Sequence, residues 1–495
     1  MSDSSAEPPK STDQDRPVPI TGFERRFKHP IGLVILFFAE MWERFSYYGM
    51  RGLLRLYMAN YLFSHAREVV QGCSGANPPC GHAPGEPELV MGWRFLQGLL
   101  PTSPGEQASV LYGWYTGLVY LTPFFGGIIA DRFIGQRKSV YIGGALMAVG
   151  HFVMALENSF FLALILLILG NGFFKPNIST QVGNLYKDGD PRRDGAFTIF
   201  YMGINLGAFL CSFVCGTLAA VYGWHYGFGA AGVGMVLGLI VYLLGQKHLA
   251  PDNVMKKAAA AAGGAGKALG APAPADEKQP VTKEEWRRIG ALIALFTLNI
   301  IFWMVYEQQG NSMQEWADKQ TVWPKIGSFQ VPSTWFQSFN PFIIFIFGIP
   351  LDMFWAWQAK RGKEPTSVSK MAIGCALLGL SFIIMVIGAR VIGEGKGSLL
   401  WPLGCTFIIT IGELYLSPIG LSLVTKVAPK RLVSMMMGLW LGSSFLGNLG
   451  AGYIGVLYER WSHEAFFTLL SALGLAAAAA MWAFNRPLKK VIGNA

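Results

Sequence analysis

The chain has 495 residues, 52% of them hydrophobic and 14% charged, with a formal net charge of +10 and a mean hydropathy of +0.37. Soluble domains carry about 25% charged residues, so the composition excludes an ordinary soluble enzyme and indicates an integral membrane protein. The basic excess forms no basic domain but sits in alternate loops, so it points to topology and away from a nucleic-acid partner.

Residues 1–28 lack an apolar signal-peptide core and read as a polar tail, with the first span directing insertion. Runs of about 20 apolar residues, the length that crosses a bilayer, then recur to the end of the chain. The predicted spans are 31–61, 107–131, 138–157, 160–184, 195–219 and 226–247, then 285–316, 333–358, 368–391, 399–425, 432–458 and 464–485. The expected fold is therefore an all-α membrane protein with twelve spans, six and six. The halves are residues 29–247 and 285–486, and a short tail covers 487–495. Lys and Arg cluster before span 1, between spans 2 and 3, after span 4 and in the corresponding loops of the second half, which predicts cytoplasmic termini.

The stretch 62–104 is a long external loop. It contains Cys73 and Cys80, close enough for a local disulfide on an oxidising face, and a segment, LVMGWRFLQGLL, too short to span and suited to the interface. Residues 248–284 are rich in Ala, Gly and Pro and read as a cytoplasmic linker. Its GGAGKALG falls short of a phosphate-binding loop, because Ala268 follows Lys267 and no strand precedes it. No histidine has metal-ligand spacing, and no hydrolase triad or paired-carboxylate arrangement stands out, so neither a metal nor an enzyme activity is expected.

The charges inside the spans carry the chemical signal. In EMWERFSYYGMR (40–51), Glu40, Glu43, Arg44, Tyr47, Tyr48 and Arg51 fall within an arc of about 140° on a helix turning 100° per residue. A charge at the centre of a spanning helix costs roughly 2.5–3.5 kcal/mol, so such a face must look into a protein interior or an aqueous cavity. Lys175, Glu307 and Glu413 lie in three further spans, with Pro176 and Pro418 expected to weaken the helix beside the first and last. Ion pairs that merely hold helices together would need fewer groups. Ionisable side chains from four spans in both halves instead suggest a midplane binding site, with Asn205, Asn340 and Tyr120 at similar depth.

GGIIADRFIGQRK (126–138) resembles the loop joining the second and third helices of the major facilitator superfamily. EMWERFSYYG (40–49), NGFFKPNIST (171–180), FTIFYMGINLGAFL (197–210) and GELYLSPIGLS (412–422) are similar to hallmarks of the proton-coupled oligopeptide transporter family within it, over about residues 30–485. The resemblance implies the major facilitator fold, two six-helix bundles around a central cavity, in a bacterial inner-membrane protein acting as a monomer. It implies a symporter of di- and tripeptides with the proton as coupling ion and no other cofactor. Arg51 and Lys175 would hold the peptide carboxylate, and Glu413 its amine, with Asn340 nearby. Tyr47, Tyr48, Tyr120 and Asn205 would contact the backbone, and Trp303, Trp440 and Ser417 would line pockets or gates. Glu40, Glu43 and Arg44 with Lys175, and Glu307 paired to Arg51, would couple protonation to movement. Two departures are visible. Animal members carry a histidine in the second helix where this chain has Gly113 beside Tyr112, and the linker cannot supply the two extra helices of many bacterial members. A relative carrying nitrate or another small anion is the alternative. A channel is less favoured, since it needs no opposed charges on two matching halves.

Overall fold

A computed structural model describes residues 22–64, 90–187, 189–252, 254, 282–429 and 432–492. The expected Cys73–Cys80 pair and most of the linker lie outside these residues. Among the described residues there are twelve long helices: α1 Ile31–Tyr57, α2 Pro104–Ile129, α3 Gln136–Val153, α4 Phe160–Asn184, α5 Arg192–Cys211, α6 Trp224–Gly245, α7 Lys283–Tyr306, α8 Phe339–Lys360, α9 Ser367–Ile392, α10 Leu400–Val427, α11 Val433–Arg460 and α12 His463–Ile492. Nine helices among the described residues are long and apolar enough to cross a membrane on length and composition alone. The charged α1 is not one of them, because its stripe of ions dilutes an otherwise apolar sequence.

Each half builds its own core. One apolar cluster runs from Leu33 to Ala250 and a second from Ile289 to Met481. Within the first half α1 packs on α5 and α6, and α3 on α4; within the second, α9 packs on α10 and α12, and α7 on α11. The halves meet along two seams, α2 with α11 and α5 with α8. At the α2–α11 seam Gly113 faces Gly452 so closely that a Cβ on Gly113 would lie 2.7 Å from Gly452 Cα and 2.9 Å from the Asn448 carbonyl oxygen. A histidine side chain therefore has no room at this position.

Several elements differ from the predicted ones. Three helices end in a π-turn: α1 at Met58–Leu62, α2 at Ala130–Ile134 and α5 at Ser212–Gly216. Pro176 and Pro418 do not break their helices, since α4 and α10 run through them without interruption. Pro176 has no N–H for the Gly172 carbonyl, and α2 brings Gly126 against that oxygen, where any side chain would collide. The break falls in the seventh span instead. There α7 stops at Tyr306, a 3-10 turn covers Glu307–Gln309, and a new helix runs over Ser312–Lys319. Asn311 at the joint has φ −108° and ψ −100°, outside the helical region, and its side chain is committed elsewhere (below). Beyond it, Thr321–Val322 pairs in parallel with Gly397–Ser398, and Lys325–Ile326 forms a small hairpin with Phe329–Gln330 around Gly327. The apolar segment before α2 is helical only over Trp93–Gln97. Trp93 stacks 5.1 Å from Phe63, while Met91, Phe95 and Leu99 are exposed.

Two ends of the molecule can now be distinguished: a loop end, where residues 62–104 connect α1 to α2, and a tail end, where α1 begins. At the tail end the linker starts as a clasp. Asp252 accepts from the Arg137 backbone N–H (3.3 Å) at the start of α3, and Arg137 binds the Leu249 and Ala250 carbonyls. Asp131 accepts from Gln136 Nε2 within its own loop (3.3 Å).

Candidate binding cavity

The charged face of α1 resolves into three layers. At the tail side Arg44 Nε lies 3.0 Å from Glu40 and 2.5 Å from Glu43, all three groups buried. Asn171 of α4 also donates to Glu43 (3.4 Å). This layer is confined to the first half and does not line the cavity between the halves. Lys175, expected beside it, makes no ion pair among the described residues; its ammonium lies over the Tyr120 ring, 4.6 Å from the centroid. Tyr47 is likewise turned away from the cavity, against Tyr48 (centroids 5.1 Å apart) and under Arg44.

Two turns beyond Arg44, Arg51 crosses to the second half. It forms an ion pair with Glu307, which is buried, and its Nε donates to Tyr112 Oη at 2.7 Å. The glutamate is presented by the 3-10 turn that ends α7. A side chain on Gly310 in the same turn would run into Tyr112 Oη.

The third layer was not anticipated. Arg55 is paired with Glu315 across the same boundary, both 1% exposed, and its Nε donates to Asn311 Oδ1 at 2.9 Å. Glu459 of α11 approaches at 3.4 Å, and Lys319 donates to Glu315 at 2.6 Å. Asn311 in turn donates to Ser109 Oγ (2.7 Å) on α2, and Ser109 donates to the Gly452 carbonyl (2.8 Å) on α11. The signal was present. Arg55 lies fifteen residues after Glu40, or 60° around the helix, inside the same polar arc, and Glu315 lies two turns beyond Glu307 on its own span.

Between the halves, with the Arg51–Glu307 pair in its wall, lies a cavity of about 400 Å³. Among its walls are Tyr48, Arg51, Tyr120, Lys175 and Asn205 from the first half, and Trp303, Glu307, Asn340, Glu413, Ser417 and Trp440 from the second. All the predicted peptide-contacting residues except Tyr47 thus share one space. Tyr201, Tyr306, Gln309 and Gln337 also line it and were not foreseen, because single tyrosines and glutamines in apolar spans resemble ordinary packing. Glu413 accepts from Tyr306 Oη (2.6 Å) and Asn340 Nδ2 (3.0 Å). A larger apolar groove, about 800 Å³, runs along α1, α5 and α6.

Among the described residues, the hydrogen bonds and ion pairs that join the halves all lie in the half of the molecule nearer the loop end. Besides those above they include Arg460 with Glu106 (2.9 and 3.0 Å), Asn60 with Asp318 (3.2 Å), Trp335 with Thr217 (3.0 Å) and Ser338 with the Phe209 carbonyl (2.7 Å). The loop end is fastened above the cavity, while no such bond joins the described residues of the tail halves.

This geometry can be set beside known proteins. The chain is 35% identical over 520 residues to an uncharacterized transporter, YclF, of Bacillus subtilis, covering 96% of this chain and 97% of that one. It is 29% identical over 520 residues to a di-/tripeptide transporter of Lactococcus lactis subsp. cremoris, covering 94% and 97%. It resembles the crystal structure of a peptide transporter POT in complex with alafosfalin, with TM-score 0.76, 33% identity and coverage of 98% of this chain and 100% of that one. The architecture is the major facilitator fold, twelve helices in two bundles of six. The family model described as PTR2, POT family, matches residues 137–262 and 273–469, and the chain belongs to that family of membrane transporters.

Proposed function

We propose that this protein is a secondary symporter that imports di- and tripeptides with protons by alternating access. The observation that carries the reading is a single cavity with cations on one bundle, Arg51 and Lys175, and a carboxylate, Glu413, on the other. A zwitterionic peptide has one anionic and one cationic end joined by a backbone of fixed length. Such a cavity binds both ends without reading the side chains between them, and this predicts breadth over side chains with sensitivity to length. A carrier of nitrate or another simple anion has no use for Glu413 in its site.

Coupling follows from the cost of an unpaired buried charge. Glu307 is buried, and Arg51 is its ionic partner. A peptide carboxylate that takes Arg51 leaves Glu307 without a cation in a poorly solvated place, where a carboxylate becomes neutral by taking a proton. Peptide binding and proton uptake thereby favour the same loosening of the halves. Glu40 and Glu43 are ion-paired with Arg44 within one bundle, so in this reading they tune Lys175 at a distance while Glu307 exchanges the proton. With the loop end fastened, the conformation is inward-facing. The loop end is then periplasmic, both termini lie in the cytoplasm, and the protein works as a monomer in a bacterial inner membrane. Residues 248–284 act as the linker between the bundles 29–247 and 285–486. The residues named here need no cofactor beyond the proton.

Proteoliposomes supply the test. An inward proton gradient should drive accumulation of labelled dialanine, nitrate should not compete, and Glu413→Gln should abolish the preference for peptides with a free amine. Absence of gradient-driven dialanine uptake overturns the import reading; unchanged preference in the variant overturns the amine site.

A further inference from the structure

We infer that Tyr306 is a positioning residue that fixes Glu413 to receive the amine of a peptide and ties that site to the neighbouring Arg51–Glu307 pair. The inference rests on the peptide-import reading and adds to it a residue and a route.

Glu413 does not stand free in the cavity. Its Oε2 accepts two hydrogen bonds, from Tyr306 Oη at 2.6 Å and from Asn340 Nδ2 at 3.0 Å. Asn340 Nδ2 also lies 3.2 Å from Tyr306 Oη and 3.0 Å from Thr410 Oγ1, so tyrosine, amide and carboxylate close a triangle. The terminal torsion of a glutamate is broad and roughly two-fold when unrestrained. Two donors on one oxygen remove that freedom and leave Oε1 as the acceptor offered to a ligand. A primary ammonium, with three donors, needs only that oxygen and displaces nothing.

Tyr306 can hold Glu413 because it is itself held. Its ring stacks on Phe302, with centroids 5.8 Å apart and planes 17° apart, and meets the edge of Trp303 at 5.1 Å. It is only 9% exposed, and its hydroxyl donates to Glu413 Oε2.

The position of Tyr306 in the chain provides the route. It is the last residue of α7, and Glu307 is the first of the 3-10 turn that breaks the span. Consecutive residues thus serve the two ends of the substrate. Tyr306 bonds the carboxylate that takes the amine, and Glu307 bonds the arginine that takes the carboxylate. Because Tyr306 and Glu307 are consecutive at the joint of the span, a peptide with both ends charged engages that joint from two sides. A ligand with one charged end acts on it from one side only.

The full chain in liposomes tests this with two probes, labelled dialanine and N-acetyl-dialanine as its competitor. Tyr306→Phe should raise KM for dialanine about tenfold, with kcat reduced less than threefold and the inhibition constant of N-acetyl-dialanine unchanged. The preference for the free amine then drops about tenfold. In a Glu413→Gln background, Tyr306→Phe should add less than a twofold change, because the oxygen it positions no longer takes an ammonium. Should Tyr306→Phe fail to assemble, Asn340→Ser removes the other donor to the same oxygen and should produce the same loss of preference. The inference is overturned if the preference survives Tyr306→Phe, or Asn340→Ser in its place, while Glu413→Gln collapses it. If Glu413→Gln itself leaves the preference intact, the amine site fails and this inference falls with it.

Discussion

Replacing Arg55 with methionine should open the loop end. Arg55 and Glu315 are each 1% exposed and belong to different bundles, so their contact exists only while the loop end is closed. Removing one partner of a buried pair costs about 3–5 kcal/mol, because the other charge is left behind. Lys319 stays 2.6 Å from Glu315 and compensates in part, which favours the lower end of that range. About 3 kcal/mol taken from the closed state alone shifts the balance toward the open one by a little over a hundredfold. Spin labels at Tyr222 and Trp461, exposed positions at the loop ends of the two bundles, read the separation in a cysteine-free background. Arg55→Met should lengthen the distance distribution. Arg55→Met combined with Glu315→Leu should restore the short one, since removing both members of a buried pair is nearly neutral. An unchanged distribution in the single variant, or a double variant as open as the single, would show that the pair does not hold this end.

Two other outcomes test the packing. Gly113→Ala places a methyl group 2.7 Å from Gly452 Cα at the α2–α11 seam. Overpacking of this kind costs about 1–3 kcal/mol, and uptake should fall at least about tenfold while circular dichroism shows unchanged helix content. Asp252→Ala removes the acceptor for the Arg137 backbone N–H in the first turn of α3; losing a helix cap costs about 1 kcal/mol, which for a chain of this length should lower the melting temperature in detergent by about 1 °C and leave KM for dialanine unaltered.

What the sequence displayed and what it hid follow from one physical distinction. Periodic apolar runs and the polar arc on α1 are local properties, visible because a helix repeats every 3.6 residues. Glu307, Glu413 and Lys175 stood out because charge inside a span is costly enough to need a reason. The partners of these groups were hidden, since pairing across bundles depends on tertiary distance. Lys175 was expected beside Glu40 and Glu43, but Arg44, four residues from the first and next to the second on the same helix, pairs with them instead. Tyr306 looked like one aromatic among several, and only its bond to Glu413 marks it out. The seventh span read as continuous because Glu307–Asn311 interrupts it without a proline. Pro176 and Pro418, expected to weaken α4 and α10, lie inside helices that run through them.

The three layers on α1 also bear on why a proton is needed at all. Arg44 closes on carboxylates of its own helix, so that layer can persist whichever end of the molecule is open. Arg51 and Arg55 close on the other bundle, and opening the loop end must part both pairs together. A peptide carboxylate can replace Glu307 on Arg51, because that arginine faces the cavity. It cannot replace Glu315 on Arg55, which is sealed behind Asn311 and Ser109 and does not line that space. Substrate thus lowers the cost of parting one pair and leaves the other to be met by water or by a proton arriving from the loop end. Glu459, part-exposed and 3.4 Å from Arg55, is the carboxylate of the outer layer more open to that water. In the proposed cycle a peptide alone therefore releases only one of these two ion pairs, and Arg55 with Glu315 still holds the loop end.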